Sequence, residues 1–450
     1  MQDLTTGSLS RHLLKTTSFM LVTMVFQTLY FLIDLYWVGS LGKEAVAAVG
    51  IAGNLSFIVL ALTQMLGVGT TTTISHAAGR KDHAAGLLFF NQSQVLAMLT
   101  GLLFLVVGMA LRPWYSARLS PDAVTAQLAA DYLKWFIPAM ALQFAMVAMG
   151  SALRGVGNFR PGMIVSASTV ILNMVLAPFL IFGWGTGRAF GVAGAAISTF
   201  VAVAVGVVWL TAYVLAPGSY LKFVPAYWRP RFDLWKKMLA VGLPTGVEFG
   251  LLAVYLMTVY VISRPFGAAA QAGFGIGQRI VQSGFMPVVA LGFAVAPVAG
   301  QNFGARQAAR VKANFRDGAW MAGGVMAALM ILCQAAPHAL IGIFSKDPAV
   351  IAVGEEYLRI VSISFVGSGV IFVVSSMFQA MGNTIPSLVS SMVRIVFVAI
   401  PAVLLSRVDG FQLIWIWYLS VAGVVLQLAL SLFLLRREYA KRLNFGPIAA

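Results

Sequence analysis

The chain has 450 residues, of which 60% are hydrophobic and only 10% charged, and a formal net charge of +16. A soluble globular domain carries about 25% charged residues, so this composition excludes one and describes a polytopic membrane protein. The apolar runs are continuous rather than alternating, which excludes a transmembrane barrel. The single cysteine, Cys333, excludes an intrachain disulfide and a cysteine metal cluster.

In chain order, the apolar runs fall at 16–38, 46–74, 86–111, 130–153, 162–183, 191–215, 238–263, 271–301, 318–341, 356–378, 386–406 and 411–435. A helix needs about 20 apolar residues to cross the hydrocarbon core. The expected fold is therefore all-α, with about twelve transmembrane helices and both termini on one side. Arg11 and Lys15 before the first run resemble the start of a signal peptide. That run is too long for one, contains Asp34 and lacks a small-residue cleavage site, so it reads as the first retained helix. No glycine-rich phosphate loop ending in Lys-Ser or Lys-Thr occurs, so the chain carries no P-loop ATPase of its own.

Nineteen of the 30 Lys and Arg residues fall on one side of this alternation, beginning with Arg11, Lys15, Arg80 and Lys81. Nine fall on the other side, and Arg279 and Arg394 lie inside runs. Cytoplasmic loops carry the excess, so both termini are expected in the cytoplasm of a bacterial cell, with the chain in the inner membrane. The positive charges set topology and touch anionic lipid headgroups; no nucleic-acid partner is expected. The stretch 217–237 is the one long polar segment in the middle. It holds Lys222, Arg229, Arg231, Lys236 and Lys237 among Tyr220, Tyr227, Trp228 and Trp235, and reads as a basic linker at the membrane surface. It divides the chain into 1–216 and 238–436, six helices each, followed by a tail at 437–450.

The two halves repeat at a constant offset of 225 residues. Gly50-Ile51 meets Gly275-Ile276, Ser120 and Asp122 meet Ser345 and Asp347, and Tyr132-Leu133 meets Tyr357-Leu358. Gly157-Asn158 with Pro161 meets Gly382-Asn383 with Pro386, and no gap is needed. Repeats of six helices run parallel about an axis along the membrane normal. Two packed bundles with a cleft between them are the expected architecture of an alternating-access carrier.

Two acids lie well inside apolar runs: Asp34 in the first and Glu248 in the seventh. An acid there costs roughly 2.5–3.5 kcal/mol on insertion scales and faces protein or water for a function. Steps of four and three back from Asp34 give Tyr30, Gln27 and Thr23, a single helix face. The alternative, an acid snorkelling at a helix end, leaves that stripe unexplained. Glu248 shares a face with Thr245 and Tyr255. Burial favours the neutral form of a carboxyl, so such groups can carry a proton, attract a cationic substrate or ligate a hard cation. The alternative for Glu248 is a structural role as partner to Arg279 or Arg394. In the fifth run Ser166, Thr169, Asn173 and Ala177 share a face. Asn173 would bond Asp34 where the two helices meet, or else serve as an interhelical hydrogen bond with no transport role. The 20 Met and 31 Phe suit promiscuous binding of flat apolar cations, though most are ordinary lipid-facing or core side chains. His76 and His83 lie in a loop, and no metal-ligand spacing is visible.

These residues resemble a known family. The segment Phe31-Leu32-Ile33-Asp34-Leu35-Tyr36-Trp37-Val38-Gly39-Ser40-Leu41-Gly42 is similar to the first helix of multidrug and toxic compound extrusion (MATE) transporters. So are Gly79-Arg80-Lys81-Asp82-His83-Ala84 and its twin Gly304-Ala305-Arg306-Gln307-Ala308-Ala309. Leu153-Arg154-Gly155-Val156-Gly157-Asn158 and Phe378-Gln379-Ala380-Met381-Gly382-Asn383 resemble the family's paired Gly-Asn segments. The match covers essentially the whole chain. It implies two six-helix lobes forming a V, and an exporter that swaps drug against inward H⁺ or Na⁺. Asp34 matches the family's first-helix coupling acid, Asn173 the fifth-helix Asn near it, and Glu248 the seventh-helix acid of some members. Three departures stand out: Ala177 where many members have a second Asp, no acid in 360–378, and Phe19 where a proline is usual.

The expected function is a monomeric multidrug antiporter that exports lipophilic, often cationic compounds in exchange for H⁺, with no cofactor and no enzymatic activity. Asp34, Asn173 and Glu248 are the expected coupling residues; Thr23, Gln27, Tyr30, Thr169, Thr245 and Tyr255 are expected to line the cavity. Na⁺ coupling is the alternative, with Asp34, Asn173, Ser198 and Thr199 as ligands. Sodium wants several oxygen ligands, and the missing carboxylate at Ala177 thins that site. A flippase for lipid-linked precursors is a further alternative, which Asp34 and Glu248 set against Arg279 and Arg394 do not favour.

Overall fold

The computed structural model of the chain describes residues 2–185 and 187–445. Its helices are α1 (Leu9–Gly39), α2 (Lys43–Gly79), α3 (His83–Leu119), α4 (Ala123–Gly155), α5 (Arg160–Phe182), α6 (Val192–Leu215) and α7 (Phe232–Ser263). They continue with α8 (Ala268–Gly304), α9 (Ala308–Ala335), the short α10 (Pro337–Gly342), α11 (Pro348–Val361), α12 (Phe365–Ala380), α13 (Ile385–Leu405) and α14 (Ile414–Arg442). Among the described residues these give 12 segments long and apolar enough to cross a membrane, with α11 and α12 acting as one. The all-α, twelve-span expectation holds. Most helices outrun the apolar runs that marked them: α2 has 37 residues, about 55 Å at 1.5 Å per residue, against a core of about 30 Å. Hydropathy marks the part in hydrocarbon, and the helix continues beyond it.

The chain forms two compact units, one built on Ser18–Gly246, the other on Leu4–Thr17 and the chain from Val247 onward. The first unit therefore includes the linker and the start of α7, and the second includes the start of α1. Of the 437–450 tail, residues 446–450 lie outside the described residues.

The repeat is written in the backbone. Among the described residues Lys81 and Arg306, 225 residues apart, are the two non-glycine residues with positive φ, at 57° and 58°. Each ends a helix in the same way. Lys81 N–H bonds Ala78 O at 3.0 Å and Asp82 N–H bonds Ala77 O at 3.0 Å; Arg306 and Gln307 bond Phe303 O and Asn302 O at 3.0 and 2.9 Å. This left-handed termination satisfies carbonyls the helix leaves open. Gly157 and Gly382 do the same with φ of 78° and 73°, which is why the Gly-Asn pair recurs. The Asn that follows bonds the end of the sixth helix of its own half: Asn158 Nδ2 to Tyr213 Oη at 2.8 Å, Asn383 Nδ2 to Glu438 Oε1 at 2.9 Å. Asp122 and Asp347 cap the next helices, accepting from Thr125 N–H at 2.8 Å and Ala349 N–H at 2.9 Å. The Thr125 backbone N–H holds the Asp122 carboxyl below the usual carboxylate range.

Lipid tails are as apolar as leucine, so helix contacts within each unit rest on close packing and hydrogen bonds. Gly206 of α6 lets α5 approach: a Cβ there would lie 2.7 Å from Thr169 Cγ2 and 2.9 Å from Met146 Sδ. Gly423 of α14 does so for α13, where a Cβ would lie 2.5 Å from Val398 Cγ2. In the second unit Phe274, Tyr357 and Trp417 form a buried aromatic core with ring centroids 4.9–5.5 Å apart. Exposed Leu102, Leu103 and Val106 on α3 give it an apolar outer face of the kind lipid covers.

Candidate coupling and binding sites

In the first unit α1, α5 and α6 bring one polar cluster together. Asn173 of α5 is buried and donates through Nδ2 to Ser198 Oγ at 3.2 Å and Thr199 Oγ1 at 3.1 Å. Tyr30 of α1 bonds Thr199 Oγ1 at 3.0 Å. Ser198 and Thr199 donate in turn to Ala195 O at 2.7 and 3.1 Å. Since Thr199 has one proton and gives it to Ala195, Tyr30 is the donor to Thr199. Each hydroxyl proton in the cluster is thereby used.

Asp34 stands one helical turn beyond Tyr30 on the same face. Its Oδ1 is buried and has no hydrogen-bond partner. The expected Asp34–Asn173 bond is not among the hydrogen bonds of the described residues; the Asn173 amide is spent on α6. Asn173, Ser198, Thr199 and Tyr30 thus bond one another, and Asp34 lies outside that set of bonds. Thr23 is buried but bonds back to Phe19 O at 3.0 Å, and Gln27 is exposed. Thr169 is buried and bonds Ser166 O at 2.9 Å. These three do not join the cluster: Thr23 and Thr169 bond the carbonyl a turn back, as helix hydroxyls do, and Gln27 is exposed. Thr245 is buried and its hydroxyl has no partner.

The second unit has its own cluster, on α7, α13 and α14. Ser391 Oγ donates to Glu248 Oε1 at 2.6 Å, and Ser387 Oγ lies 3.2 and 3.1 Å from the two carboxylate oxygens. Ser375 of α12 bonds Ser387 at 2.6 Å. Gln427 Nε2 donates to Ser391 Oγ at 3.1 Å, and Arg394 Nη1 donates to Gln427 Oε1 at 3.2 Å. The Arg394 guanidinium also faces the Tyr255 ring at 5.6 Å, and Tyr255 Oη bonds Ser420 Oγ at 2.9 Å. Glu248 and Tyr255 therefore meet in one network, as their shared helix face predicts. The suggested ion pair to Arg279 or Arg394 is not present: no ion pair among the described residues involves Glu248. Arg394 reaches it only through Gln427 and Ser391, and Arg279 is exposed. Sequence reasoning missed Ser387, Ser391 and Gln427. The signal was there: Ser387, Ser391 and Arg394 follow four-three spacing on one face of an apolar helix.

It also missed two straps. Asn91 and Gln92 of α3 are fully buried and grip the linker backbone. Asn91 bonds Lys222 O at 3.0 Å, Val224 N–H at 2.9 Å and Trp228 Nε1–H at 2.9 Å. Gln92 bonds Tyr227 O, Arg229 O and Arg231 N–H at 2.6, 2.7 and 3.0 Å. In the second unit Gln301, Asn302 and Arg310 hold the N-terminal segment, with bonds to Leu4 N–H at 3.0 Å, Leu4 O at 3.1 Å and Gly7 O at 3.0 Å. Among the described residues no three His, Cys, Asp or Glu side chains cluster as metal ligands.

The MatE family model matches residues 20–179 and 244–404. Similar proteins include the probable multidrug resistance protein YoeA of Bacillus subtilis, 25% identical over 425 residues, 93% of this chain and 91% of that protein. Another is the probable multidrug resistance protein NorM of Thermotoga maritima, 26% identical over 426 residues, 93% of this chain and 90% of that protein. Among solved structures, the outward-facing conformation of a multidrug resistance MATE family transporter of the MOP superfamily aligns with a TM-score of 0.90. That alignment covers 99% of this chain and 98% of the other at 22% identity. A MOP superfamily transporter from Pyrococcus furiosus aligns with a TM-score of 0.89 over the same shares, also at 22% identity. The two matched stretches carry the repeat, the Asp34 helix and the Glu248 helix, and the chain belongs to the MatE family.

Proposed function

We propose that the protein is a secondary active multidrug efflux antiporter that exports lipophilic, often cationic compounds by alternating access in exchange for inward H⁺. The observation that carries the coupling is the buried, unpartnered Oδ1 of Asp34 beside a cluster whose neutral oxygens are already bonded to one another. A proton needs one such oxygen. A sodium ion needs several, and Asn173 would have to turn its amide to free Ser198 and Thr199. The cluster therefore favours H⁺ over Na⁺ while containing the ligands that Na⁺ coupling would use. Multidrug substrates are supported by the likeness to YoeA and NorM, both probable multidrug resistance proteins. Twelve spans and the excess of Lys and Arg on one side support a place in the bacterial inner membrane with both termini cytoplasmic. We read the working unit as a monomer.

Asp34→Asn keeps the size and polarity of the side chain and removes the exchangeable proton. In everted vesicles the variant is expected to insert at wild-type levels and to lose proton-driven accumulation of a fluorescent cationic dye. Wild-type transport by Asp34→Asn would remove Asp34 from coupling. A cell-envelope defect on deletion, with no change in drug resistance, would favour a lipid-precursor flippase instead.

A further inference from the structure

Repeat-related positions make the polar clusters of the two units comparable residue by residue. Tyr30 and Tyr255 are twins, and each bonds a hydroxyl on the last helix of its half, Thr199 or Ser420. Around them the chemistry differs. Arg394 stands where the first unit has Thr169, Glu248 where it has Thr23, and Gln427 where it has Ala202. The second unit therefore holds a separated pair of opposite charges at a place that is neutral in the first.

Arg394 is the tenth residue of the 21-residue α13, so its Cα lies near the middle of the span. It is on the protein-facing stripe with Ser387, Ser391, Val398 and Ala402, which are buried; Met392, Val396 and Ile400 point outward. A cation at this depth normally pairs with an acid. Among the described residues Arg394 has no acidic partner; it donates to one amide oxygen and faces one aromatic ring. Its fork has five N–H donors, matched to a carboxylate or phosphate, and the side chain is half-buried rather than sealed. Glu248 is held by its two serines, and Ser391 and Gln427 stand between the acid and the arginine. That spacing leaves the guanidinium without a carboxylate partner among the described residues.

We infer that Arg394 is a substrate-binding residue that takes the anionic group of zwitterionic amphiphiles, with the Tyr255 ring beside it for their flat apolar part. The inference rests on the efflux reading above and names the substrate class the second unit selects. The test uses two probes: a cationic xanthene dye that carries a free benzoic acid, and its methyl ester. Both share the ring system and the cationic charge, and only the acid is zwitterionic at neutral pH. Binding to purified protein is read by fluorescence anisotropy. Wild type is expected to bind the acid more tightly than the ester by about tenfold, the scale of one charge-assisted bidentate contact. Arg394→Gln is expected to remove that preference by weakening the acid, while the cationic ester binds at least as tightly because a like charge has gone; an unchanged thermal melt in detergent reports the intact fold. Arg394→Lys is expected to keep part of the preference. Equal affinity for the two dyes in wild type, an unchanged preference in Arg394→Gln, or a parallel loss of both dyes would overturn the assignment. Failure of wild type to bind or export either dye would overturn this inference and the efflux reading together. Export of both dyes with an unmoved preference would overturn the inference alone.

Discussion

Replacing Asn91 by Leu tests how the linker is held. The two side chains are similar in size, so the change removes hydrogen bonds with little loss of packing. Asn91 is fully buried and makes three bonds to the linker, to Lys222 O, Val224 N–H and Trp228 Nε1–H, and a fourth to Leu87 O in its own helix. At a net ~1 kcal/mol each, the three crossing bonds hold the strap by about 3 kcal/mol. The loss stays local, because Gln92 still grips 227–231 and His83 still bonds Tyr220 O at 2.8 Å. Each 1.4 kcal/mol is a factor of ten, so amides of 222–228 are expected to exchange about 100-fold faster. Hydrogen exchange read by mass spectrometry on protein in lipid nanodiscs resolves this. A rise confined to peptides from the linker supports the strap. Unchanged protection there, or an equal rise along the whole chain, would refute it.

Two further outcomes follow from close packing and backbone strain. Gly206→Ala places a Cβ against Thr169 and Met146, an overpacking that costs roughly 1–3 kcal/mol; a lowered Tm in detergent checks it, with transport reduced because α5 carries Asn173. Lys81→Gly removes an L-residue from the left-handed region. The relief of roughly 1–2 kcal/mol is partly offset by the entropy of glycine, so Tm is expected to rise slightly with dye export unchanged.

The scaffold was legible because membrane insertion imposes a simple rule, a long apolar run for each span, and because the two halves repeat without a gap. Gly157 and Gly382 were legible as matched members of the repeat, but not as left-handed helix ends, which Lys81 and Arg306 form without glycine. Asp34 and Glu248 were legible because an acid is costly in hydrocarbon. Their surroundings were less so. Asn173 points at Ser198 and Thr199 rather than at Asp34, and periodicity gives a helix face but not which neighbour that face meets. Ser387 and Ser391 look like ordinary helix serines until α13 is set beside α7. Asn91 and Gln92 look like polar breaks in an apolar run until the linker, more than 100 residues on, is laid over them.

Whether proton movement at Asp34 drives export is read by dye transport in proteoliposomes with imposed gradients. A pH gradient alone is expected to drive transport by wild type and not by Asp34→Asn, and a sodium gradient alone at equal pH to drive none. Transport driven by sodium alone, at a pH held equal on both sides, would contradict that expectation.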